Sequence, residues 1–404
     1  MAIFNTNDFI TQKITSRNES IFKNDIESNK LILNKRISGK SVLVIGGAGT
    51  IGSSFIRAVL QFKPSKLYVV DINENGLTEL VRDLRSTTGL IVPPIFITYP
   101  INFGDTIFEK IFKNEGPFDI VANFAAHKHV RSEKDHYSIE AMIENNVIKA
   151  RKLLDILLKM PPNHFFCVST DKAANPVNIM GASKKLMEDV ILSYSTKIPI
   201  TTARFANVAF SNGSLLFGFI ERIMKQQPLS APSDVKRYFV SPDESGQLCM
   251  LACVLGESGD IFFPKLREDS MKTFSEIAID FLKAFSKKPF YCNSEEEAKE
   301  IAVGLSVKSK LYPVYFFKSD TSGEKSFEEF YTDKEEVDLK SFAELGIIKN
   351  TTKKNFSDIN AMLDNLQNLL KQNSVRKQDI VNILKKYIPN FEHIETGKNL
   401  DQKM

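Results

Sequence analysis

A glycine-rich turn at residues 46–52 is the first part of the chain whose spacing indicates chemistry. It reads Gly-Gly-Ala-Gly-Thr-Ile-Gly, which satisfies G-x-G-x-x-G from Gly47 and G-x-x-G-x-x-G from Gly46. Glycine is needed there because a Cβ would block the approach of a pyrophosphate, and the following helix N-terminus offers free N–H groups. The turn therefore predicts a dinucleotide site, to which we assign Gly46, Gly49, Thr50, Ile51 and Gly52.

A carboxylate 19 residues after this turn supports the same site and bears on the cofactor. Asp71 ends the second predicted strand, where a carboxylate binds the adenosine ribose hydroxyls. It would repel a 2′-phosphate, because two unit charges about 4 Å apart cost roughly 4 kcal/mol at an effective dielectric of about 20. Residues 72–75 contain no Arg or Lys to offset the repulsion. We therefore expect NAD and not NADP, with Asn73 also in the cofactor site.

The elements that must position these residues alternate between strand and helix patterns. The strand patterns lie at 41–47, 66–72, 94–102, 119–126, 164–170 and 200–208. The helical patterns lie at 50–62, 75–85, 106–114, 138–160 and 181–195. Strands that are apolar throughout and separated by helices indicate a parallel sheet covered on both faces. The sequence thus predicts an α/β fold, a Rossmann-type doubly wound parallel sheet with a smaller C-terminal substrate-binding lobe.

Four regions are expected along the chain. Residues 1–38 are polar and are predicted to form an N-terminal arm, and residues 39–210 the NAD-binding domain, with further core segments to about 265. The alternation loosens over 211–335, the predicted substrate-binding lobe, and 336–404 are predicted to be a polar helical extension. We expect no chemistry from the arm or the extension, so a chain without residues 380–404 should keep its turnover.

Composition excludes several classes of protein. The 404 residues carry 53 Lys+Arg and 49 Asp+Glu, and a net charge of +4 gives no reason to expect a nucleic acid or an anionic membrane as partner. The four cysteines form no C-x-x-C pair and the five histidines show no metal-ligand spacing, so no metal is expected. No apolar run approaches the roughly 18 residues of a membrane span, and the first residues lack a signal segment. We expect a soluble, cytoplasmic protein.

The residues after the fifth predicted strand resemble a known family. Residues 169–184 read Ser-Thr-Asp-Lys-Ala-Ala-Asn-Pro-Val-Asn-Ile-Met-Gly-Ala-Ser-Lys. Together with the glycine turn and segments 123–135, 144–147, 204–214 and 236–240, they resemble the nucleotide-sugar 4,6-dehydratases of polysaccharide biosynthesis, a branch of the extended short-chain dehydrogenase/reductases. The likeness spans roughly residues 38–265. Residues 261–266 and 315–325 look similar to soluble UDP-N-acetylglucosamine 4,6-dehydratases of legionaminic-acid-type pathways.

This resemblance implies an internal redox reaction on a UDP-sugar, in which NAD is recycled. C4 of the hexose is oxidised by hydride transfer to NAD, the C5 proton is removed, water leaves from C6, and the hydride returns to C6. Similar family members assign the elimination to an Asp-Lys pair, so we assign Asp171 as acid and Lys172 as base. Making a lysine of pKa about 10.4 neutral at pH 7 costs about 4–5 kcal/mol. The prediction thus requires a lowered pKa for Lys172 and a raised pKa for Asp171.

Met180 departs from the pattern of the wider superfamily. It stands where the usual Tyr-x-x-x-Lys has its tyrosine, while Lys184 is retained. Methionine cannot deprotonate the C4 hydroxyl, so Thr170 relays the proton, Lys172 serves as base twice, or the site is inactive. Methionine here also resembles the branch of larger membrane-bound dehydratases and their soluble relatives, which are active and retain the C5 configuration. We therefore expect an active, C5-retaining enzyme.

Other roles are carried over by position within the resemblance. The residues expected to contact the cofactor are Asn102, Phe103, Ala125, Ala126, His127 and, at the nicotinamide ribose, Lys184. Asn146, also assigned to the cofactor site, matches a helix asparagine that orders active-site water in the superfamily. The residues expected to contact the nucleotide sugar are Lys128, Asn207, Ser211 and Ser214. Arg237 resembles an arginine that pairs with the diphosphate, a role suited to guanidinium geometry.

Alternative activities stay open at this point. A C5-inverting dehydratase and a nucleotide-sugar epimerase share the oxidised C4 intermediate, although a simple C4 epimerase needs no elimination pair such as Asp171 and Lys172. A non-catalytic NAD-binding scaffold is favoured only by Met180. The preference for UDP over GDP sugars rests on the resemblance alone. Relatives commonly pair through helices near the catalytic segment, so a homo-oligomer is expected.

Overall fold

The protein is described by a computed structural model over residues 4–306, 308–320, 327–349 and 353–395. The strands in chain order are β1 (Ser41–Ile45), β2 (Lys66–Asp71), β3 (Ile95–Pro100), β4 (Ile120–Asn123), β5 (His164–Val168), β6 (Ile200–Ala203), β7 (Asn207–Val208), β8 (Leu229–Pro232), β9 (Lys236–Arg237), β10 (Phe239–Val240), β11 (Ile261–Pro264), β12 (Lys272–Thr273), β13 (Lys288–Tyr291), β14 (Leu311–Phe317), β15 (Glu336–Asp338) and β16 (Leu345–Lys349).

The α-helices in chain order are α1 (Thr6–Phe9), α2 (Lys23–Ser28), α3 (Lys30–Ile37), α4 (Thr50–Leu60), α5 (Glu74–Ser86), α6 (Thr106–Glu115), α7 (His136–Ile143), α8 (Lys149–Leu157), α9 (Ile179–Ser193), α10 (Leu215–Met224), α11 (Pro242–Leu255), α12 (Phe274–Ala284), α13 (Glu295–Val303), α14 (Phe356–Leu370) and α15 (Lys377–Tyr387). Short 3₁₀ turns lie at Val130–Glu133, Asp171–Ala173 and Glu268–Ser270, and π-helical turns at Ile10–Thr15 and Glu144–Ile148. In the described part of the chain, no helix combines the length and the apolar character that crossing a bilayer requires.

The principal sheet confirms the predicted fold class. Its strand order is β15-β16-β11-β6-β5-β4-β1-β2-β3 in the described residues. The seven strands from β3 to β11 run parallel, and β16 and β15 add antiparallel pairs at one edge. The order 3-2-1-4-5-6 is that of doubly wound dinucleotide-binding sheets, in which ligands bind outside the carboxyl ends of the strands.

Apolar side chains from both faces of β1 explain why the strands are hydrophobic throughout. Val42 and Val44 point to one core, which contains Phe55 of α4, whereas Leu43 and Ile45 point to a second core on the opposite face. All four β1 side chains are buried. Helices therefore cover both faces, as the continuous apolar runs predict.

A smaller lobe forms around β8, β13 and β14, which pair in parallel in the order β13-β14-β8. Helices α10 and α12 pack on it, and Phe219 and Phe281 lie in its core. Phe9, Ile10 and Ile14 of the N-terminal arm complete this core. The arm is therefore docked on the lobe through apolar side chains, although its sequence is mostly polar.

The prediction for residues 336–404 is wrong at its start. Residues 336–349 form β15 and β16 of the principal sheet, where Leu345 and Ile348 are fully buried. This apolar run is short and flanked by polar residues, so it lacks a clear strand period. Helices α14 and α15 do follow, but their apolar stripes pack on the principal core instead of forming a solvated extension; Met362 and Leu384 are buried there.

Candidate active site

A cavity of about 1030 Å³ opens at the carboxyl ends of the parallel strands and extends to the smaller lobe. The glycine turn and Asp71 line one part of it, and Ser214 and Phe219 line the part formed by the smaller lobe. The turn after β5, which carries Asp171 and Lys172, lines the same cavity. The location agrees with the rule for open α/β sheets.

The glycine turn has the geometry that a dinucleotide site requires. Gly46 has a φ of +77°, and a Cβ there would lie 2.5 Å from the Ala125 amide nitrogen. A Cβ on Gly52 would lie 2.3 Å from the Gly46 carbonyl oxygen, whereas a Cβ on Gly49 would make an ordinary contact of 3.5 Å with the same oxygen. In the described residues no side chain caps α4, so its first N–H groups are available to an anion. The turn thus fits a pyrophosphate.

Asp71 is held in place by the loops on either side of it. Its Oδ2 accepts a hydrogen bond from the Ala48 amide at 3.0 Å, and its Oδ1 accepts one from the Asn73 amide at 2.9 Å. Each carboxylate oxygen keeps a second lone pair, which a ribose hydroxyl can use. The Asn73 side chain caps α5 through Gly76 and does not line the cavity in the described residues. The expected contact of Asn73 with the cofactor is therefore not formed by its side chain.

Most of the remaining residues predicted to bind the cofactor line the cavity, namely Asn102, Phe103, Ala125, Ala126, His127 and Lys184. Asn146 does not line it in the described residues. Its side chain is buried, accepts from the His127 amide and donates to the His127 carbonyl, both at 2.9 Å, and also donates to Ser183 Oγ at 3.0 Å. Asn146 therefore fixes the loop after β4 against α9, and its ordering of active-site water stays a prediction.

The predicted acid–base pair lies in the 3₁₀ turn after β5, Asp171–Ala173, which we call the catalytic turn. Asp171 is 4% exposed, and the Nζ of Lys172 lies 3.2 and 3.0 Å from its Oδ1 and Oδ2. Thr170 Oγ1 donates to Asp171 Oδ1 at 2.7 Å. The three side chains line the cavity as a connected group, so a proton can pass between them.

Glu328 belongs to this group and was missed by the sequence analysis. Its Oε1 lies 3.3 Å from Lys172 Nζ and from Arg237 Nε, and accepts from Asn207 Nδ2 at 2.8 Å. In the sequence Glu328 is one of two adjacent glutamates between phenylalanines, and it is 156 residues from Lys172. No local spacing connects the two positions. Residues 321–325, part of the predicted likeness at 315–325, lie outside the described residues.

The charges of this group change the expected titration of Lys172. Burial alone would lower its pKa, but the nearby Asp171 and Glu328 carboxylates outweigh burial and raise it. A lysine that serves as a base was expected to have a lowered pKa, so the direction is opposite to the prediction. Burial and the charge of Asp171 raise the pKa of Glu328 to about 7. In the protein alone Lys172 is therefore an ammonium, and a carboxylate that readily takes a proton lies beside it.

Met180 lines the cavity, as its position in the sequence predicts, and it is 3% exposed. Its amide donates to the buried Glu133 Oε1 at 2.9 Å, which fixes the start of α9. Lys184 Nζ donates to the Val168 carbonyl at 2.7 Å, and burial lowers its pKa. No tyrosine is found among the described residues that line the cavity. The Thr170 hydroxyl, which lies in the cavity wall and donates to Asp171, is a group there that can exchange a proton.

The predicted substrate residues divide into two groups. Lys128, Asn207, Ser211 and Ser214 line the cavity. Arg237 is 6% exposed, does not line the cavity in the described residues, and pairs with Glu328. The structure therefore places Arg237 beside Glu328, and its contact with a diphosphate stays a prediction.

The doubly wound sheet, the glycine turn and the catalytic turn after β5 define a dinucleotide-binding α/β protein of the extended short-chain dehydrogenase/reductase type. Residues 42–347 match the family described as polysaccharide biosynthesis protein, and the chain belongs to this family. This match confirms the resemblance predicted from the motifs.

Similar proteins extend this comparison. An uncharacterised membrane protein of Methanocaldococcus jannaschii is 31% identical over 72% of this chain and 85% of its own length. The capsular polysaccharide biosynthesis protein CapD of Staphylococcus aureus is 27% identical over 83% of this chain, which spans about half, 54%, of CapD. An inverting UDP-N-acetylglucosamine 4,6-dehydratase of Campylobacter jejuni is 24% identical over 73% of this chain and 82% of its own length.

Solved structures share the fold. Pen from Bacillus thuringiensis superposes with a TM-score of 0.63 at 21% identity, covering 87% of this chain and 98% of Pen. DesIV, a dTDP-glucose 4,6-dehydratase from Streptomyces venezuelae solved with NAD bound, gives a TM-score of 0.53 at 19% identity, covering 72% and 88% of the two chains. At these identities the likeness establishes the fold, and the chemistry has to be argued from the site.

Proposed function

We propose that this protein is an NAD-dependent UDP-N-acetylglucosamine 4,6-dehydratase. Its product would be a UDP-2-acetamido-2,6-dideoxy-4-hexulose with retained C5 configuration, for legionaminic-acid-type or surface-glycan synthesis. The observation that carries the proposal is the Asp171–Lys172 pair, which faces the same cavity as the glycine turn. The relatives named as 4,6-dehydratases support the reaction class.

The residues of the first part of the cavity fit NAD. The uncapped N-terminus of α4 would hold the pyrophosphate, and Asp71 would accept hydrogen bonds from the adenosine ribose. Lys184, whose ammonium is already oriented by the Val168 carbonyl, would bind the nicotinamide ribose. When bound, NAD supplies the hydride acceptor for C4 and the hydride donor for C6. Ala125 and Ala126 present small side chains along the same wall and leave room for the cofactor.

The catalytic turn supplies the proton transfers in this proposal. Asp171 would donate a proton to the departing C6 hydroxyl, and Lys172, once neutral, would remove the C5 proton. Thr170 would accept the C4 hydroxyl proton and pass it to Asp171, with which it already shares a hydrogen bond of 2.7 Å. This relay takes the place of the tyrosine that Met180 replaces.

A C5-inverting dehydratase is a second candidate because the Campylobacter jejuni relatives are named inverting enzymes. Met180 favours retention, since the sequence resemblance places methionine in the retaining branch. The two candidates share every residue of the elimination and differ in the face of C5 that receives the proton. Product stereochemistry therefore decides between them.

The proposal is tested by incubating the purified protein with NAD and UDP-N-acetylglucosamine in heavy water. A dehydratase gives a product that has lost one water and gained deuterium at C5, and NMR coupling constants give the C5 configuration. An isomer of unchanged composition identifies an epimerase instead. Asp171→Asn is the matched variant, because it should still bind NAD but release no water. No reaction by the wild-type protein would contradict the proposal.

A further inference from the structure

Glu328 is a buried carboxylate that the proposed reaction does not yet use. It is 7% exposed and lies next to Lys172, Arg237 and Asn207, all of which contact its Oε1. Its Oε2 is buried and, among the described residues, has no hydrogen-bond partner. An ionised oxygen without a partner is more costly in such a site than a protonated, neutral one. The geometry therefore suits a carboxyl group that gains and loses a proton.

The charges around Glu328 balance when both carboxylates are ionised. Asp171 and Lys172 face it from the catalytic turn, and Arg237 faces it from β9. The Tyr238 phenol is also close enough for the charges of Glu268 and Glu328 to add to the effect of burial in raising its pKa. Lys172 is thus held by two carboxylates, and one of them, Glu328, is shared with a second cation.

We propose that Glu328 is the positioning residue that takes the proton from Lys172 and so prepares it as the base for C5. This inference rests on the proposed dehydratase function. An N–H bond of the Lys172 ammonium breaks, an O–H bond forms on Glu328, and the result is a neutral amine beside a neutral carboxylic acid. No proton enters or leaves the site, and no redox change or further reactant is needed. After Lys172 has taken the C5 proton and delivered a proton back to C5, Glu328 returns its own proton to the Lys172 amine, which restores the starting state.

Arg237 decides when this transfer is favourable. While Arg237 lies 3.3 Å from Glu328 Oε1, its positive charge lowers the pKa of Glu328 and so opposes protonation. The sequence resemblance implies a contact between Arg237 and the diphosphate of the nucleotide sugar, for which the guanidinium would turn from Glu328 toward the cavity. Among the residues that the structure describes, Glu328 would then keep only Lys172 as a cationic partner, and the negative charge of Asp171 would favour protonation of Glu328. Lys172 would therefore stay an ammonium in the free protein and become neutral when the nucleotide part of the substrate binds.

The first test is the dependence of kcat on pH in Glu328→Gln. Glutamine keeps the size of the side chain but cannot accept the proton, so Lys172 must lose its proton to solvent. We expect kcat to fall about 100-fold at pH 7. We also expect log kcat to rise with unit slope toward alkaline pH, while the wild-type protein stays flat near neutrality and KM changes little. Glu328→Asp should restore part of the flat profile.

A purely structural role predicts a different result. Glu328→Gln would then lower kcat by the same factor at every pH, and this outcome would overturn the inference. Glu300→Gln is the matched control, because Glu300 is exposed on α13 in the same part of the chain. It removes one carboxylate without touching the catalytic turn and should leave both kcat and its pH profile unchanged.

A second measurement does not depend on turnover. In protein labelled with ¹³C and ¹⁵N at the lysine side chains, the Lys172 signal is assigned by its loss in Lys172→Met. With NAD present, UDP should move this signal to the neutral-amine position in the wild-type protein and not in Glu328→Gln. If UDP binds and the wild-type signal stays at the ammonium position, the inference is wrong. If the signal moves but UDP-N-acetylglucosamine loses no water, the proposed reaction is wrong and the inference holds.

Discussion

Asp71 illustrates how much of the cofactor site one side chain carries. Its carboxylate binds the Ala48 and Asn73 amides and so fixes two loops, while each oxygen keeps a lone pair that a ribose hydroxyl can use. Its negative charge also determines which dinucleotide can bind. Ile72, the next residue in the cavity wall, is 70% exposed and offers no positive charge. Shape and charge at this position therefore favour the cofactor without a 2′-phosphate.

We expect Asp71→Asn to reduce the preference for NAD over NADP. The amide keeps the size of the side chain but removes the charge repulsion, which is roughly 4 kcal/mol for charges about 4 Å apart before screening. After screening, a change of about 10- to 100-fold in the ratio of the two dissociation constants is expected, measured by calorimetry on cofactor-free protein. Asp105→Asn, an exposed aspartate before α6, is the control and should leave the ratio unchanged. Equal binding of both cofactors by the wild-type protein would contradict the prediction.

The Thr170 hydroxyl is expected to relay the C4 proton. Thr170→Val removes the hydroxyl but keeps the β-branched shape, so we expect turnover to fall by about 100-fold while NAD binding is unchanged. Thr170→Ser keeps the hydroxyl and should retain most of the activity. The measurement is the rate of water loss from UDP-N-acetylglucosamine at saturating substrate. Unchanged turnover in Thr170→Val would assign the relay to Lys172 instead.

Residues whose roles depend on neighbours in the chain could be predicted, and residues whose roles depend on distant contacts could not. The glycine turn, Asp71 and the Asp171–Lys172 pair lie at strand ends, so their position follows from the alternation of strands and helices. Glu328 reaches the same site from a segment 156 residues away from Lys172. Asn146 was assigned to the site by position, but the structure shows that it binds the His127 backbone. Such contacts depend on how distant segments pack together, and they leave no periodic pattern of residues in the sequence around either partner.

At the scale of elements, the loop at residues 174–178, which connects the turn carrying Asp171 and Lys172 to α9, is supported by the segment that follows α15. The Glu392 amide donates to the Pro176 carbonyl at 3.3 Å, and the Ile394 amide donates to the Val177 carbonyl at 3.0 Å. Asn390 Nδ2 donates to the Ala174 carbonyl at 3.3 Å. Phe391, between these contacts, is 3% exposed. The segment at residues 390–394 thus packs against the loop at 174–178. The polar composition of the C-terminal region did not indicate this contact.

These contacts lead us to replace the expectation that residues 380–404 are dispensable. A chain that ends at residue 387 keeps α15 but loses the contacts at 390–394, so we expect turnover to fall by at least about tenfold because the loop is less well positioned. A chain that ends at residue 395 keeps all of these contacts and is the control. Circular dichroism checks that both chains fold. Full activity of the shorter chain would show that the loop holds its position without this segment.

At the scale of the whole molecule, the N-terminal arm connects the two cores. Phe9 and Ile14 lie in the core of the smaller lobe, whereas Phe22 and Leu33 lie in the core of the principal sheet. Between them, Arg17 binds both carboxylate oxygens of Glu244 at 2.9 and 2.6 Å, and Glu244 also caps the start of α11. The arm was predicted to be polar because its few apolar residues are scattered among polar ones in the sequence. Its contacts hold the smaller lobe against the sheet, on the two sides of the cavity.

We therefore expect Arg17→Met to destabilise the whole protein. The substitution keeps most of the aliphatic volume but leaves the Glu244 side chain, 3% exposed, without its cation. Removing one partner of a buried pair typically costs 3–5 kcal/mol, and partial exposure of Arg17 reduces this to about 2 kcal/mol in the free energy of unfolding. Lys23→Met is the matched control in the same arm, because its pair with Glu19 is exposed and should contribute less than about 1 kcal/mol. Urea denaturation measures both values, and equal stability of the two variants would mean that the lobes are held together by the cavity walls and not by the arm.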